Sequence, residues 1–243
     1  MSTPAPRRFG QGIAVDRNRP HLFHRDYHTL RVIRQGVMDF ADRFASELQV
    51  KKVLDFGCGV SPYAPWFERH GIELLRADID PTDPSVLPID PETGRAPLDY
   101  CSMAGVVSTQ VLEHVPNIQA YLREARRVLA PGGRLLLTTH GAFLLHRAPT
   151  DLRRWTTDGL RYELEQAGFA VESVEPKIGI LAFATHLRAM TYGGLTHRVP
   201  LTGWLRPLIY LVSNLRMSLE DWLTPRSVME AHPEILIATA RRA

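Results

Sequence analysis

Ten consecutive residues constrain the fold of this chain more than any others: Val53-Leu54-Asp55-Phe56-Gly57-Cys58-Gly59-Val60-Ser61-Pro62. Apolar residues run straight into a tight glycine turn, and a helical pattern follows over Tyr63 to His70. The run therefore reads as a buried strand, a turn where backbone can closely approach a ligand, and a helix. Strand and helix signals keep alternating after it. Glu73 to Ala77 and Ala104 to Ser108 read as strands, and Ile118 to Leu129 as a helix capped by Asn117. Pro131-Gly132-Gly133 stops that helix and leads into a strand at Arg134 to Thr138. Thr156 or Thr157 caps a helix through Gln166, Gly168 ends it, and Phe169 to Val174 begins another strand. Such alternation predicts an α/β fold, a Rossmann-like and mostly parallel sheet with helices on both faces. Ligands of such a sheet sit beyond the carboxyl ends of its strands, where Asp55, Asp78, Ser108 and Thr139 fall.

A glycine loop alone would suit any nucleotide, and two residues narrow the choice. A dinucleotide fingerprint would put a third glycine where the chain has Pro62, and the Asp55 carboxylate sits poorly beside a pyrophosphate. The same carboxylate suits an ammonium group, so local charge favours S-adenosylmethionine over NAD. Asp78 lies nineteen residues after Gly59, where an acid can accept from both ribose hydroxyls. Its neighbour Ile79 can pack on an adenine, and Asp80 is the fallback ribose ligand.

Outside this core the rhythm changes. Apolar residues recur at helical spacing from Leu30 to Leu48, predicting one or two N-terminal helices behind a loose arm rich in Pro and Arg. Between Lys177 and Pro233 a second stripe, Leu205, Leu208, Ile209, Val212, Leu215, Leu219 and Trp222, predicts an inserted helical cap before a last strand at Ile235 to Thr239. We expect the stripe to pack on the domain's own core, with a dimer face or a membrane-surface helix as the alternatives. The expected organisation is an N-terminal arm and helices over 1–48, a cofactor-binding core over 49–176, a helical cap over 177–233, and a final core strand over 234–243.

Composition excludes several classes. The chain has 243 residues and a formal net charge of +3, with no apolar run of signal-peptide or membrane-span length, so a cytoplasmic location is expected. Cys58 and Cys101 are its only cysteines, which supports neither a disulfide framework nor a structural zinc site. Arginines crowd the N-terminal arm, yet no nucleic-acid module accompanies them, so no nucleic-acid partner is expected.

Four motifs in order resemble the class I S-adenosylmethionine-dependent methyltransferases over roughly residues 50 to 175. They are Val53 to Gly59, then Ala77-Asp78-Ile79-Asp80, then Ser108-Thr109-Gln110-Val111-Leu112-Glu113-His114-Val115, then Arg127 to Leu135. The resemblance implies a seven-stranded sheet whose last strand is antiparallel. It also implies that the loop Gly57-Cys58-Gly59 holds the methionine part of the cofactor, that Asp78 binds ribose, and that a residue after the third strand approaches the adenine amino group. Asp90 is the candidate for that last role. Ser61 departs from the pattern, since many members have a glycine there, and the loop Pro88 to Pro97 is longer than usual. Gln110-x-x-Glu113-His114 resembles the metal-binding Glu-x-x-Glu-His of ubiquinone-type O-methyltransferases. Gln110 replaces its first carboxylate, so no metal is expected and Gln110 is placed at the methionine end of the cofactor.

Methyl transfer to a hydroxyl needs a group to accept a proton, and histidine is the usual one near neutral pH. Thr139-His140-Gly141, His146 and Pro149-Thr150-Asp151-Leu152-Arg153-Arg154-Trp155-Thr156 resemble a subgroup of these enzymes often met in bacterial polysaccharide and secondary-metabolite pathways. His146 and Asp151, with His140, are the candidate base and its orienting carboxylate. His114 is the weaker candidate, suited to bracing the loop beside the cofactor. Ser108-Thr109-Gln110-Val111 replaces the Asn/Asp-Pro-Pro-Tyr of amino methyltransferases, which disfavours base-flipping chemistry. The expectation is an O-methyltransferase acting on a small molecule, with a sugar or glycan hydroxyl first and a phenol of quinone or polyketide type as the alternative. A non-catalytic cofactor-binding adaptor is the alternative of another class. A homodimer and peripheral membrane contact both fit the cap.

Overall fold

The computed structural model describes residues 17–47, 52–81, 83–147, 150–196 and 202–243. Arg7 and Arg8 of the arm, Leu48 of the first apolar stripe, and Pro149 of the histidine loop lie outside those residues. Helix α1 (Tyr27–Glu47) leads into strand β1 (Lys52–Phe56), helix α2 (Ala64–Arg69) and strand β2 (Glu73–Asp78). A two-residue strand, β3 (Leu87–Pro88), precedes β4 (Met103–Thr109), α3 (Ile118–Val128), β5 (Leu129–His140), α4 (Thr157–Gln166) and β6 (Phe169–Lys177). Helices α5 (Ile180–Leu195), α6 (Arg206–Leu223) and α7 (Arg226–Ala231) then precede β7 (Ile235–Arg242).

The seven strands form one sheet in the order β3-β2-β1-β4-β5-β7-β6. Strands β1 to β5 run parallel, and β7 runs antiparallel to both β5 and β6. The chain moves outward from β1 to β3 and then returns past β1 to β4. The crevice of this sheet therefore opens at the carboxyl ends of β1 and β4.

Both faces of the central strands are covered, which is why they read as continuous apolar runs. Leu54, Leu135 and Leu137 bury on the side of α3 and α4 with Leu122 and Leu160, while Val53 and Leu136 bury on the other with Phe44 and Val37 of α1. That alternation is the period of two expected of strands. Two predicted caps form: the Asn117 side chain accepts from the Ala120 amide at 3.0 Å, and Thr156 Oγ1 from that of Gly159 at 3.0 Å. Pro131-Gly132-Gly133 does more than stop α3. It lies within β5, where pairing with β4 skips from Met103↔Leu129 to Gly105↔Arg134, with Gly132 at φ +73° making the excursion.

The apolar stripe of α6 does not pack inward. Leu208, Val212, Leu215, Leu219 and Trp222 are each more than half exposed, whereas Asn214 and Met217 of the same helix are buried. The reason is polar. Asn214 Nδ2 donates to the carbonyls of Leu22 and His24 at 2.8 Å each, and Asp221 takes His28 Nε2 at 3.2 Å and the Gly179 amide at 2.9 Å. These bonds hold the polar face of α6 against the start of α1 and the entry to α5. No helix among the described residues is long and apolar enough to cross a membrane.

Candidate active site

The glycine turn follows directly from β1. Gly57 adopts φ +77°, and a Cβ there would lie 2.7 Å from the Val111 side chain, so only glycine fits. The amides of Gly57 and Cys58 both donate to Ala77 O, at 2.8 and 3.0 Å, and the Gly59 amide donates to Asp78 Oδ2 at 2.7 Å. A phosphate-binding loop presents such amides free. Here three are already bonded within the turn and the end of β2. What the turn keeps is negative charge and an open surface: nothing lies within 4 Å of a Cβ built at Gly59.

Asp55 lies beneath the turn, buried, accepting from Ser61 Oγ at 2.6 Å. Burial pushes its pKa up to about 6, with the Asp78 carboxylate adding to the rise and Ser61 opposing it. A cation placed here would restore its charge. Ser61 itself sits at φ +47°, which explains how the chain departs from glycine: the hydroxyl bond to Asp55 offsets a backbone conformation unfavourable to a side chain. The Cys58 thiol is raised to about 12 by burial and by Asp55, so it is no nucleophile.

Around this turn stand the remaining predicted cofactor residues. Asp78 ends β2 and also accepts from the Asp80 amide at 3.1 Å, while Ile79 beside it is half exposed. Asp90 Oδ1 accepts the amides of Glu92 and Thr93 at 2.8 and 3.0 Å, bonds that hold its carboxyl below the usual range. Gln110, at φ +56°, donates from Nε2 to Thr138 Oγ1 at 3.1 Å, and its buried Oε1 is left without a partner.

A second group of side chains gathers beyond β4 and β5. Glu113 is fully buried. It accepts from Thr139 Oγ1 at 2.9 Å and lies 3.5 Å from His140 Nε2 and 4.0 Å from His114 Nε2. Burial pushes Glu113 up and His140 down, to about 3, so both tend to their uncharged forms. His140 stacks on Phe143 with centroids 4.3 Å apart, and the His146 ring stands 6.5 Å from His140, 6.2 Å from Phe143 and 5.8 Å from His114. His114 is braced as expected: Nδ1 bonds Thr150 O, and Thr150 Oγ1 donates back to His114 O at 3.2 Å.

The structure brings His140, His146 and Asp151 onto one loop but does not join them as base and orienter. Asp151 forms a two-bond pair with Arg154, at 2.5 and 2.7 Å, and accepts the backbone amide of His146 at 2.7 Å. Its bond to Arg154 holds its pKa down near 2. Arg154 also donates to the carbonyls of Phe143 and Leu144, so the pair clasps the loop. The His146 imidazole stays outside these bonds. Partial burial lowers its pKa, and the charges of His114 and Arg17 lower it further.

Sequence reading missed a third group behind Phe143. His186 of α5 is fully buried, donating to Asp26 Oδ1 at 3.2 Å and Glu234 Oε1 at 3.1 Å; Thr29 Oγ1 donates to Glu234 at 2.7 Å. Burial alone would lower its pKa, but the Glu234 charge and the Asp26 bond lift it to about 9. Its ring lies 6.1 Å from Phe143, and the Glu234 carbonyl takes the Gly141 amide at 2.9 Å. This ion cluster thus ties the N-terminal segment and the cap to the histidine loop. Three segments remote in sequence contribute to it, Asp26 with Thr29, His186, and Glu234, and no local motif marks it.

Residues 23–174, more than half of the chain, match the methyltransferase-domain family. The chain belongs to that family. Its fold is that of the class I S-adenosylmethionine-dependent methyltransferases, and S-adenosylmethionine is its cofactor. The methyltransferase is 28% identical over 127 residues to a ubiquinone biosynthesis O-methyltransferase of Chromobacterium violaceum, covering 47% of this chain and 54% of that one. It thus spans about half the length of that curated relative. In fold it is similar to an S-adenosylmethionine-dependent methyltransferase from Mesorhizobium loti, at TM-score 0.50, 16% identity and coverage of 83% and 96% of the two chains. It is also similar to the cyclase SpnF, at TM-score 0.54, 19% identity and coverage of 85% and 79%. One fold can carry different reactions, so the acceptor chemistry has to be argued from the site.

Proposed function

We propose that the protein methylates the hydroxyl of a small aromatic acceptor, a phenol of the quinone-precursor type, with His146 taking the proton. The observation that carries this reading is the set of four rings, His114, His140, Phe143 and His146, packed beyond the ends of β4 and β5. Rings of this kind offer stacking surface to a planar acceptor. The relatives named for ubiquinone biosynthesis support the phenol over the glycan hydroxyl expected first.

When bound, the cofactor supplies an electrophilic methyl carbon on a sulfonium centre. The donor residues fit it: Asp55 offers a carboxylate to the ammonium, Gln110 Oε1 an acceptor beside it, and Gly57, Cys58 and Gly59 an unobstructed floor. Asp78 and Ile79 take the ribose and adenine, and Asp90 Oδ2 the adenine amino group. On the acceptor side His146, its pKa below that of a free histidine, is uncharged at neutral pH and can accept a phenolic proton. His140, with a pKa near 3, is a poor base. It acts as a positioning residue, holding Phe143. Asp151 and Arg154 fix the loop from which His146 projects.

The test is transfer of labelled methyl groups to a panel of catechols, hydroxybenzoates and sugar alcohols. Turnover of phenols is expected, with His146→Gln lowering kcat by about 10²-fold or more while S-adenosylhomocysteine affinity is kept. Methylation of sugar alcohols with none on phenols, or wild-type kcat in His146→Gln across pH, would overturn the reading.

A further inference from the structure

Helix α6 is built inside out. Its buried side carries Asn214, Ser218 and Asp221, and these bond to Leu22, His24, His28 and Gly179. Its outer side carries Leu208, Val212, Leu215, Leu219 and Trp222, continued backward by Trp204, all between 53% and 79% exposed. A monomer that hides amides and a carboxylate beneath a helix while presenting leucines to solvent has a face made to be covered.

Its surroundings indicate by what. Between α5 and α6 runs a groove of about 340 Å³ floored by Leu208, Ile209 and Val212, with Arg188 and Arg216 on its rim. Arg188 has no carboxylate partner among the described residues. Residues 177–233 contain six Lys and Arg against three Asp and Glu, and one of the six, Lys177, pairs with Glu175 just outside the segment at 2.8 Å. The three acids are already used: Asp221 is turned inward to His28, Glu220 holds Arg216 and Thr185, and Glu230 holds Arg226. The face is thus an apolar ridge with a Trp near each end and the guanidinium groups of Arg188 and Arg216 beside it. Tryptophan favours the boundary between hydrocarbon and headgroups, and arginine favours anionic headgroups.

We propose that the outer face of α6, with the α5–α6 groove, docks on an anionic lipid bilayer. The stripe steps by four and three residues, which a second helix could also follow. A two-fold pairing, however, would set the same basic rim against itself. The lipid surface has the complementary sign. The docking face lies on the far side of α6 from the segment that carries His24 and Asp26, so it stands apart from the acceptor rings. It does not depend on which hydroxyl is methylated, since binding is read without turnover.

Flotation of the full chain with vesicles tests this. Strong binding is expected to vesicles containing phosphatidylglycerol and at least tenfold weaker binding to pure phosphatidylcholine, a ratio on the scale of a few arginine–headgroup contacts. Leu215→Ser with Leu219→Ser should abolish flotation, and Arg188→Gln should weaken binding to phosphatidylglycerol by about fivefold. Unchanged thermal stabilisation by S-adenosylhomocysteine would show that these variants are folded. On vesicles the Trp emission should shift to the blue, and Trp222→Phe should reduce that shift. No flotation of the wild-type chain, or equal binding to both vesicle types, would overturn the proposal. So would a concentration-dependent dimer in sedimentation that the double serine variant abolishes.

Discussion

At the ends of β1 and β2 the site is made by two short contiguous stretches, Asp55 to Ser61 and Asp78 to Asp80, whose backbone and carboxylates bond to one another. At the ends of β4 and β5 it is made by side chains that meet from far apart, as Asp26, His186 and Glu234 do. The donor side holds unfavourable states: a carboxyl raised by burial and a serine at positive φ. The acceptor side, behind Phe143, holds a compensated ion cluster. The proposed donor side therefore presents buried negative charge that a cationic ligand would satisfy, and the proposed acceptor side is tied down behind Phe143.

The comparison breaks most visibly at His186. Replacing it by leucine leaves Asp26 and Glu234 buried without their cation, and a loss of about 3–5 kcal/mol is expected in denaturant unfolding. Its pH dependence has a definite sign. The folded pKa, about 9, lies above the value of 6.5 for a free histidine, so the stabilisation is complete below pH 6.5 and is lost as pH rises through 9. A decline on the order of 3 kcal/mol between pH 6.5 and 9.5 is expected in the wild type, and a flatter curve in His186→Leu. Identical curves would show that the cluster does not carry this charge.

Asp55 has the same pH sign in a more acidic window, but removing it should stabilise rather than destabilise the free protein. Its folded pKa of about 6 exceeds the unfolded 3.8, so ionising it costs the free protein stability as pH rises across that window. Asp55→Asn keeps an oxygen for Ser61 and removes that cost. It should stabilise the ligand-free protein at pH 7 by up to about 3 kcal/mol. The same variant should lose affinity for S-adenosylhomocysteine by calorimetry, because the ammonium loses its counter-charge. A variant that is less stable and binds as well as the wild type would refute the division between a poised donor side and a compensated acceptor side.

The same contrast explains what the sequence disclosed. Strands β1, β2, β4 and β5, the two helix caps and the last strand at Ile235 were legible because their signals are local: apolar runs, Asn117, Thr156 and glycine punctuation; the antiparallel sense of that last strand came from the family resemblance. The donor side shared that locality. The α6 stripe was legible as a period but not as a direction. A helical period says which residues share a face, and what decided the buried face was bonding to Leu22, His24 and His28, some 190 residues away. Asp151 was misread for a related reason. Its spacing to His146 suggested a partner for the imidazole, whereas Arg154, three residues on, offered a planar two-bond match that outcompetes it.

The smallest expected effect separates two roles at Asp90. One oxygen caps the turn through the amides of Glu92 and Thr93, and the other is assigned to the adenine amino group. Asp90→Ala removes both roles. It should lower the Tm slightly and lower cofactor affinity as well. Asp90→Asn can keep its oxygen toward the turn, but its amide then presents N–H where adenine also presents N–H. Its Tm should stay near that of the wild type while S-adenosylhomocysteine binding weakens by about fivefold to tenfold, the worth of one hydrogen bond. If both variants bind the cofactor like the wild type and only Asp90→Ala loses stability, Asp90 is a turn residue alone, and the donor side reaches no further than Ile79.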